Sequence, residues 1–149
     1  MQFLTIALPL ALSLLISPAR GITAPLSYDR VYSVAGASLD TVACSDGSHG
    51  LKTRGFTTFG SLPTFPFIGG AEAIEGWNSV NCGTCYQLTY TNATSGSKKS
   101  INILAIDSTK PGFNVALPAM EVLVGSQAAD IGTAVVEAKQ INASFCGLH

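Results

Sequence analysis

Short apolar segments separated by turn residues dominate the chain, and this pattern predicts β-strands. The clearest runs are CYQLTY over residues 85–90, SINILAI over 100–106 and AVVEAKQI over 134–141. In the second run both faces are apolar apart from Asn102, so this strand is expected to be buried on both sides. A polar stretch containing Gly96 separates the first two runs, and it predicts a β-hairpin between them.

One segment is typical of a helix. Pro118 suits the first turn of a helix, the residues after it stay apolar, and Gly125 is placed as a C-terminal stop. Residues 56–77, by contrast, contain Gly60, Pro63, Pro66, Gly69, Gly70 and Gly76. We predict a long irregular loop there, with Trp77 at its end filling the core. Several short strands and one helix favour a small β-barrel with helical additions.

The apolar run over residues 3–16 resembles a secretory signal peptide, because a small-residue stretch, SPA, follows it. A membrane anchor is the alternative, but a spanning helix needs about 20 apolar residues. This run is shorter and is interrupted by Pro9. We predict a signal peptide over 1–24, with cleavage after residue 19 or 21 as the other options. Residues 25–149 are then a single extracellular domain.

The charge balance narrows the class of ligand. The chain has 8 Lys and Arg against 9 Asp and Glu, and only 11% of its residues are charged. Nucleic-acid binding needs a basic stripe, and a disordered charged tail needs far more charge, so both are excluded.

Four cysteines in a secreted chain predict two disulfides. Three pairings are possible on paper, and bridges from Cys82 and Cys85 to the distant Cys44 and Cys146 are favoured over a C-x-x-C redox pair. Zinc is the other use of four cysteines, but a single C-x-x-C lacks the paired spacing of a zinc ribbon. We predict no metal site.

Two segments fit the N-glycosylation pattern N-x-S/T, namely NAT at Asn92 and NAS at Asn142. The first lies in a polar turn, where a glycan would be tolerated. The second is close to Cys146, where we expect a glycan to be hindered.

Polar residues accompany glycine in CSDGSHGL (44–51), GWNSVNCGTCY (76–86) and IDSTKPGFNV (106–115), and the pair Tyr28 and Tyr32 lies upstream. Glycine lets backbone amides approach a ligand closely. Asp107 directly follows the buried strand, which would hold its carboxylate rigidly. Aspartate is also a favoured turn residue, however, and the pattern alone favours a turn at this position. His49 and Asp46 likewise fit structural roles. Asp46 and Asp107 are the only acids in these segments, and no nucleophile motif is present, so a hydrolase is unsupported.

CSDGSHGL, GWNSVNCGTC and DSTKPGFNV, in this order and with four cysteines so placed, resemble the cerato-platanin family of small secreted fungal proteins. The resemblance runs from Ser27 to Cys146, and residues 27–44 are similar to the N-terminal strand region of that family. It implies a mainly β fold, a six-stranded double-ψ β-barrel like the first domain of expansins, with one or two short helices. It also implies the disulfide pairs Cys44–Cys82 and Cys85–Cys146.

The resemblance further implies a secreted or cell-wall-associated, non-catalytic protein without a cofactor that binds chitin-type N-acetylglucosamine oligomers or another wall polysaccharide. Some members act on plant cells as elicitors or virulence factors, through a plant surface receptor in one interpretation. Some loosen cellulosic material, and some, monomeric in solution, assemble at air–water interfaces. An elicitor acting independently of sugar and a weak glycosidase using Asp107 are the alternatives. The binding residues carried over are Ser45, Asp46, Gly47, His49, Gly83, Thr84, Asp107 and Ser108.

The sequence departs from the family pattern at three places. Arg30 replaces a common proline, Tyr86 stands where tryptophan is common, and Thr109-Lys110-Pro111 replaces a glycine-rich stretch. We expect these changes to bear on ligand affinity and chain-length preference more than on the fold.

Overall fold

The structure is a computed structural model that describes residues 20–149. Six strands form a closed barrel in the order β1–β5–β2–β4–β3–β6. Two strand pairs, β1 with β5 and β2 with β4, are parallel, and the other pairs are antiparallel. The strands are β1 Ile22–Tyr28, β2 Ile68–Ala71, β3 Cys85–Thr91, β4 Lys98–Ser108, β5 Phe113–Val115 and β6 Thr133–Ile141.

Two α-helices pack beside the barrel, α1 Leu117–Val124 and α2 Ala128–Ile131. As predicted, Pro118 lies in the first turn of α1, and the helix ends at Gly125. Gly125 has a φ of +98°, which suits glycine because it lacks a Cβ atom. No helix within residues 20–149 has the length and apolar character needed to cross a membrane. Short 3-10 helices cover Arg30–Ser33, Leu39–Thr41, Lys52–Arg54, Phe59–Ser61 and Ala143–Cys146.

The three strands predicted from apolar runs are confirmed as β3, β4 and β6. β3 and β4 form the predicted antiparallel hairpin, with Cys85 opposite Leu104 and Thr91 opposite Lys98. From Ile103 to Ile106 every residue of β4 is buried, so this strand has protein on both faces, as its uniformly apolar sequence predicts. β4 also continues through Ser108, two residues beyond the predicted end.

The predicted loop over 56–77 is wrong in its centre, because β2 lies there. All four residues of β2, IGGA, are buried between β4 and β5. Adjacent backbone leaves no room for a side chain at Gly69, which would place a Cβ atom 2.7 Å from the Cα atom of Val115. The glycines that indicated a loop are therefore what allows a strand in this crowded part of the barrel.

β1 begins at Ile22, inside the segment assigned to the signal peptide. Ala24 is buried and pairs with Val136 of β6, so cleavage after residue 24 would remove three residues of a barrel strand. Cleavage after residue 19 or 21 would leave β1 whole. The apolar run over 3–16 lies outside the described residues.

Both disulfides have the pairing implied by the family resemblance. Cys44 is bonded to Cys82 and Cys85 to Cys146, so all four cysteines are used and zinc ligation by them is excluded. The fold class, a six-stranded barrel with short helices and two disulfides, is confirmed.

The apolar core fills the barrel and continues beneath the 3-10 helices. Tyr86 lies in this core, where its ring and that of Phe113 form an edge-to-face pair with centroids 5.0 Å apart. Tyr86, one of the departures from the family pattern, therefore contributes to core packing. The largest fully buried side chains include Leu26, Leu39, Phe59, Ile68, Leu88, Leu104 and Met120.

Candidate functional site

Asp107 lies within β4, which corrects the turn assignment favoured by its sequence context. Its Oδ1 atom accepts hydrogen bonds from the backbone N–H of Ala43 at 3.0 Å and of Ser108 at 2.8 Å. Its Oδ2 atom accepts one from the hydroxyl of Tyr32 at 2.9 Å. Three donors from three parts of the chain thus hold this half-buried carboxylate in one orientation.

Tyr32 reaches Asp107 from the 3-10 helix Arg30–Ser33. The Asp29 side chain caps this helix by accepting a hydrogen bond from the N–H of Val31. Burial, together with the nearby Asp107 carboxylate, raises the pKa of the Tyr32 hydroxyl well above its ordinary value. The hydroxyl is therefore protonated at all physiological pH values and remains a donor to Asp107.

The segment after Cys44 forms one wall of the site. The Cys44 N–H donates to the carbonyl of Ile106 at 3.0 Å, which places the segment beside the end of β4. The chain turns at Gly47, whose φ is +84° and where a Cβ atom would lie 2.5 Å from Oδ1 of Asn78. Only glycine fits this turn without displacing Asn78.

Trp77 is 65% exposed, so the prediction that it fills the core is wrong. Its indole Nε1–H donates a 2.7 Å hydrogen bond to Oδ1 of Asp46. The same oxygen accepts a second, longer hydrogen bond from Ser45 Oγ at 3.3 Å. The indole is thus anchored at its polar edge while most of its surface faces solvent.

Asn78 links the segment around Trp77 to the segments at Ala43 and His49, a role that was not predicted. Its Oδ1 accepts from the N–H of His49 at 2.8 Å, and its carbonyl oxygen lies 3.1 Å from His49 Nδ1. A carbonyl oxygen only accepts, so this contact assigns the proton to Nδ1 and leaves Nε2 as an acceptor in the neutral ring. The Asn78 N–H in turn donates to the carbonyl of Ala43, whose own N–H bonds Asp107. Hydrogen bonds through Asn78 and the backbone junction at Ala43 therefore connect His49 to Asp107, and Trp77 directly precedes Asn78.

Some of the residues predicted to bind ligand have structural contacts instead. Gly83 is buried, its N–H donates to the carbonyl of Ala105, and an added Cβ would meet Leu148 at 3.1 Å. The Thr84 hydroxyl donates to the carbonyl of Asn81. Ser45 is buried and supports Asp46, as described above. Of the predicted binding residues, Asp46 is exposed, and Gly47, His49, Thr84, Asp107 and Ser108 are partly exposed.

The sequence contained weak signals for the contacts that it did not predict. Tyr32 was marked only as one of an aromatic pair, and nothing in its surroundings indicated a bond to Asp107, 75 residues away. Asn78 belongs to the polar GWNSVNCGTCY segment, and its positive φ of 56° is a conformation that asparagine tolerates better than most residues. Its role depends on a contact between distant loops, which local patterns do not reveal.

The hydrogen bond between Asp46 and Trp77 can be followed by tryptophan fluorescence, because Trp77 is the single tryptophan of the chain. This hydrogen bond is the main reason that the pKa of Asp46 lies below its ordinary value of 3.8. The indole N–H bonds the charged carboxylate of Asp46 in preference to the neutral carboxyl. The hydrogen bond is therefore intact above pH 3.8 and is lost as the pH falls through the lowered pKa. We expect a fluorescence transition with a midpoint below 3.8.

Two variants control this measurement. Asp46→Asn should abolish the transition, because the amide does not titrate. Asp40→Asn is the matched control and should retain the transition. Asp40 is also an exposed aspartate with a lowered pKa, but its bonds to Lys52 and Ser38 cause that shift, and the indole N–H of Trp77 bonds Asp46 instead. A transition that persists in Asp46→Asn would show that the indole does not report on this carboxylate.

Comparison with known proteins places the chain in a family. The cerato-platanin family model matches residues 24–148. The heat-stable 19 kDa antigen of Coccidioides posadasii is 42% identical over 126 residues, 85% of this chain and 82% of the antigen. Crystalline cerato-platanin 2 from M. perniciosa superimposes with a TM-score of 0.80 at 46% identity, over 85% of this chain and 99% of that one. The solution structure of the fungal elicitor cerato-platanin gives 0.69 at 42% identity, over 82% and 95%. The chain therefore belongs to the cerato-platanin family.

Proposed function

We propose that this protein is secreted and binds chitin-type N-acetylglucosamine oligomers without hydrolysing them. The binding surface would be formed by Asp46, His49, Trp77, Asp107 and Ser108, which we name the Asp107 surface. The observation that carries the proposal is the position of Trp77, an exposed indole fixed by Asp46 and joined through Asn78 and Ala43 to the Asp107 carboxylate.

The chemistry of these groups suits a neutral sugar. An exposed indole offers a flat apolar face to the C–H face of a pyranose ring, while its N–H is already bonded to Asp46. The unused lone pair on Asp107 Oδ2 and the His49 ring nitrogen Nε2 are acceptors for sugar hydroxyls or an acetamide N–H. Because the site is open and mostly polar, it removes little apolar area from water, so binding should be weak.

The contacts of Asp107 favour binding over glycoside hydrolysis. Three hydrogen-bond donors point at the two oxygens of its carboxylate. Glycoside hydrolysis normally needs a second carboxylate across the scissile bond, and the other acid of this surface, Asp46, is already bonded to Trp77 and Ser45. The alternative hypothesis of a weak glycosidase would be supported if the wild type, but not Asp107→Asn, released reducing ends from chitin oligomers.

Expansin-like loosening of plant cell walls and elicitor activity toward a plant host would follow from the same surface. A second candidate function is recognition by a host receptor independently of sugar. The relatives described as an antigen and an elicitor favour it, since both words describe recognition by a host. An Asp107→Ala protein that binds no oligomer but still provokes full host defence would support this second function.

Calorimetric titration with chitin oligomers tests the proposed binding. We expect Trp77→Ala to weaken binding at least tenfold, because the stacking face is removed while the fold is untouched. A tenfold loss corresponds to about 1.4 kcal/mol. Asp107→Ala should also weaken binding, and Tyr32→Phe should do so to a smaller extent, because it removes one of the three hydrogen bonds that orient the carboxylate.

Val135→Ala is the matched control, because Val135 is 63% exposed and lies on β6, which does not pair with β4. Its affinity should equal that of the wild type. Circular dichroism on each variant separates loss of binding from loss of fold. If the wild type shows no binding, or if Trp77→Ala binds as well as Val135→Ala, the Asp107 surface is not a sugar site.

A further inference from the structure

The hairpin turn between β3 and β4 carries the sequon Asn92-Ala93-Thr94 in a defined conformation. The N–H of Asn92 donates to the carbonyl of Ser97 at 2.9 Å, and the N–H of Gly96 donates to the carbonyl of Asn92 at 2.8 Å. Residues 93–97 between these contacts are all exposed. The sequon is thus presented on a closed, solvent-facing turn.

The side chain of Asn92 is held in the turn by its oxygen. Oδ1 accepts hydrogen bonds from the N–H groups of Thr94 at 2.9 Å and Ser95 at 3.0 Å. No group within residues 20–149 accepts a hydrogen bond from its Nδ2 atom. N-glycosylation uses Nδ2 and leaves Oδ1 unchanged, so a sugar attached here would preserve both bonds of the turn.

A cavity of about 100 Å³ opens beside this asparagine, between the hairpin and the C-terminal end of α1. Tyr90, near the end of β3, precedes Asn92 by two residues, and both residues line this cavity. The other lining groups combine an ammonium, a hydroxyl and two aliphatic side chains. The cavity is lined by Tyr90, Asn92, Ser97, Lys99, Leu123 and Val124.

We propose that Asn92 is N-glycosylated during secretion and that the first N-acetylglucosamine of the glycan packs on Tyr90 in this cavity. In the transfer, Nδ2 forms a bond to the anomeric carbon of a lipid-diphosphate-linked oligosaccharide. The amide nitrogen loses a proton, and the lipid diphosphate leaves. The Tyr90 ring would cover one face of the sugar, and the Lys99 ammonium and Ser97 hydroxyl would bond its oxygens.

The site lies far from the Asp107 surface. Lys99 and Asp107 are eight residues apart on β4, which corresponds to about 26 Å along a strand. A glycan at Asn92 should therefore leave oligomer binding unchanged. The inference rests on the proposed secretion of the protein but not on its proposed ligand.

The test compares proteins produced by a eukaryotic secretory host. Peptide mass spectrometry of the wild type should find a glycan on Asn92, and Asn92→Gln should lack it. Asn142→Gln is the matched control, because Asn142, which is exposed where Asn92 is half-buried, is also a sequon asparagine whose Oδ1 accepts from the N–H two residues ahead. This variant should keep the Asn92 glycan. An unmodified Asn92 in the secreted wild-type protein would overturn the proposal.

Thermal unfolding tests the packing on Tyr90 separately. After enzymatic trimming to a single N-acetylglucosamine, the wild type should unfold roughly 4 °C above Asn92→Gln. The same comparison in the Tyr90→Ser background should show almost no difference, because the sugar then has no ring to cover. Equal differences in both backgrounds would overturn the packing. Oligomer binding measured on the same preparations reports on the proposed function alone, so the two results are independent.

Discussion

Replacing Gly69 by alanine is expected to destabilise the barrel by about 3 kcal/mol or more, one of the largest effects for a single methyl group in this chain. Gly69 pairs with Val115 of β5 and with Ala105 of β4, and the β2–β4 register shifts directly after it. The added Cβ would lie 2.7 Å from the Val115 Cα and closer still to the carbonyl oxygen of Asn114. Both obstacles are backbone atoms of a neighbouring strand, so they cannot rotate away as a side chain could.

Gly36→Ala is the matched control, because an added Cβ there meets no atom within 4 Å. It makes the same chemical change on an exposed segment and should be neutral or slightly stabilising, since alanine restricts the unfolded chain. Denaturant unfolding of both variants gives the comparison. A Gly69→Ala protein as stable as Gly36→Ala would mean that β2 does not approach β5 as closely as described.

Removing either disulfide is expected to cost about 4 kcal/mol in the chain-entropy treatment, for loops of 38 and 61 residues. A domain of this size has a free energy of unfolding of about 5–15 kcal/mol. Loss of either disulfide would therefore remove much of that stability and lower the unfolding temperature. The two bridges should nevertheless differ in their effect on ligand binding. Cys44–Cys82 joins the two segments that carry Asp46 and Trp77, whereas Cys85–Cys146 fixes the C-terminal 3-10 helix to β3.

The paired variants Cys44→Ala/Cys82→Ala and Cys85→Ala/Cys146→Ala control for one another, because neither leaves a free thiol. Measured at a temperature where both remain folded, the first should bind chitin oligomers more weakly than the second. Equal affinities in the two variants would contradict the idea that the Cys44–Cys82 bridge orders the Asp107 surface.

The fold was predictable from the sequence where elements are long and regular. β3, β4, β6 and α1 have runs of apolar residues with helix or strand signals at their ends, and the structure confirms all four. β2 and β5 have four and three residues, too few to show a period. β2 also contains two glycines, which indicate a loop in most contexts but here permit close approach between strands.

The candidate site was predicted in part. The motifs identified the Cys44 segment and Asp107, but they misjudged Trp77, because a single large aromatic side chain is usually buried. Its exposure depends on the hydrogen bond to Asp46, 31 residues earlier in the chain. The junction at Ala43 likewise depends on the backbone N–H and carbonyl of this alanine, and the residue type does not reveal what they bond.

The position of β1 in the barrel has a consequence for biosynthesis. Its neighbours are β5 and β6, so Leu26 and the rest of β1 have no strand partner until residues 113–138 have been made. Cys44 and Cys82 are both synthesised well before that point, whereas Cys85 must wait for Cys146. Pairing between strands that are far apart in the sequence is slow, and the edges of the unpaired strands stay exposed until it is complete. We therefore expect the barrel to close after translation, with the Cys85–Cys146 disulfide forming after Cys44–Cys82.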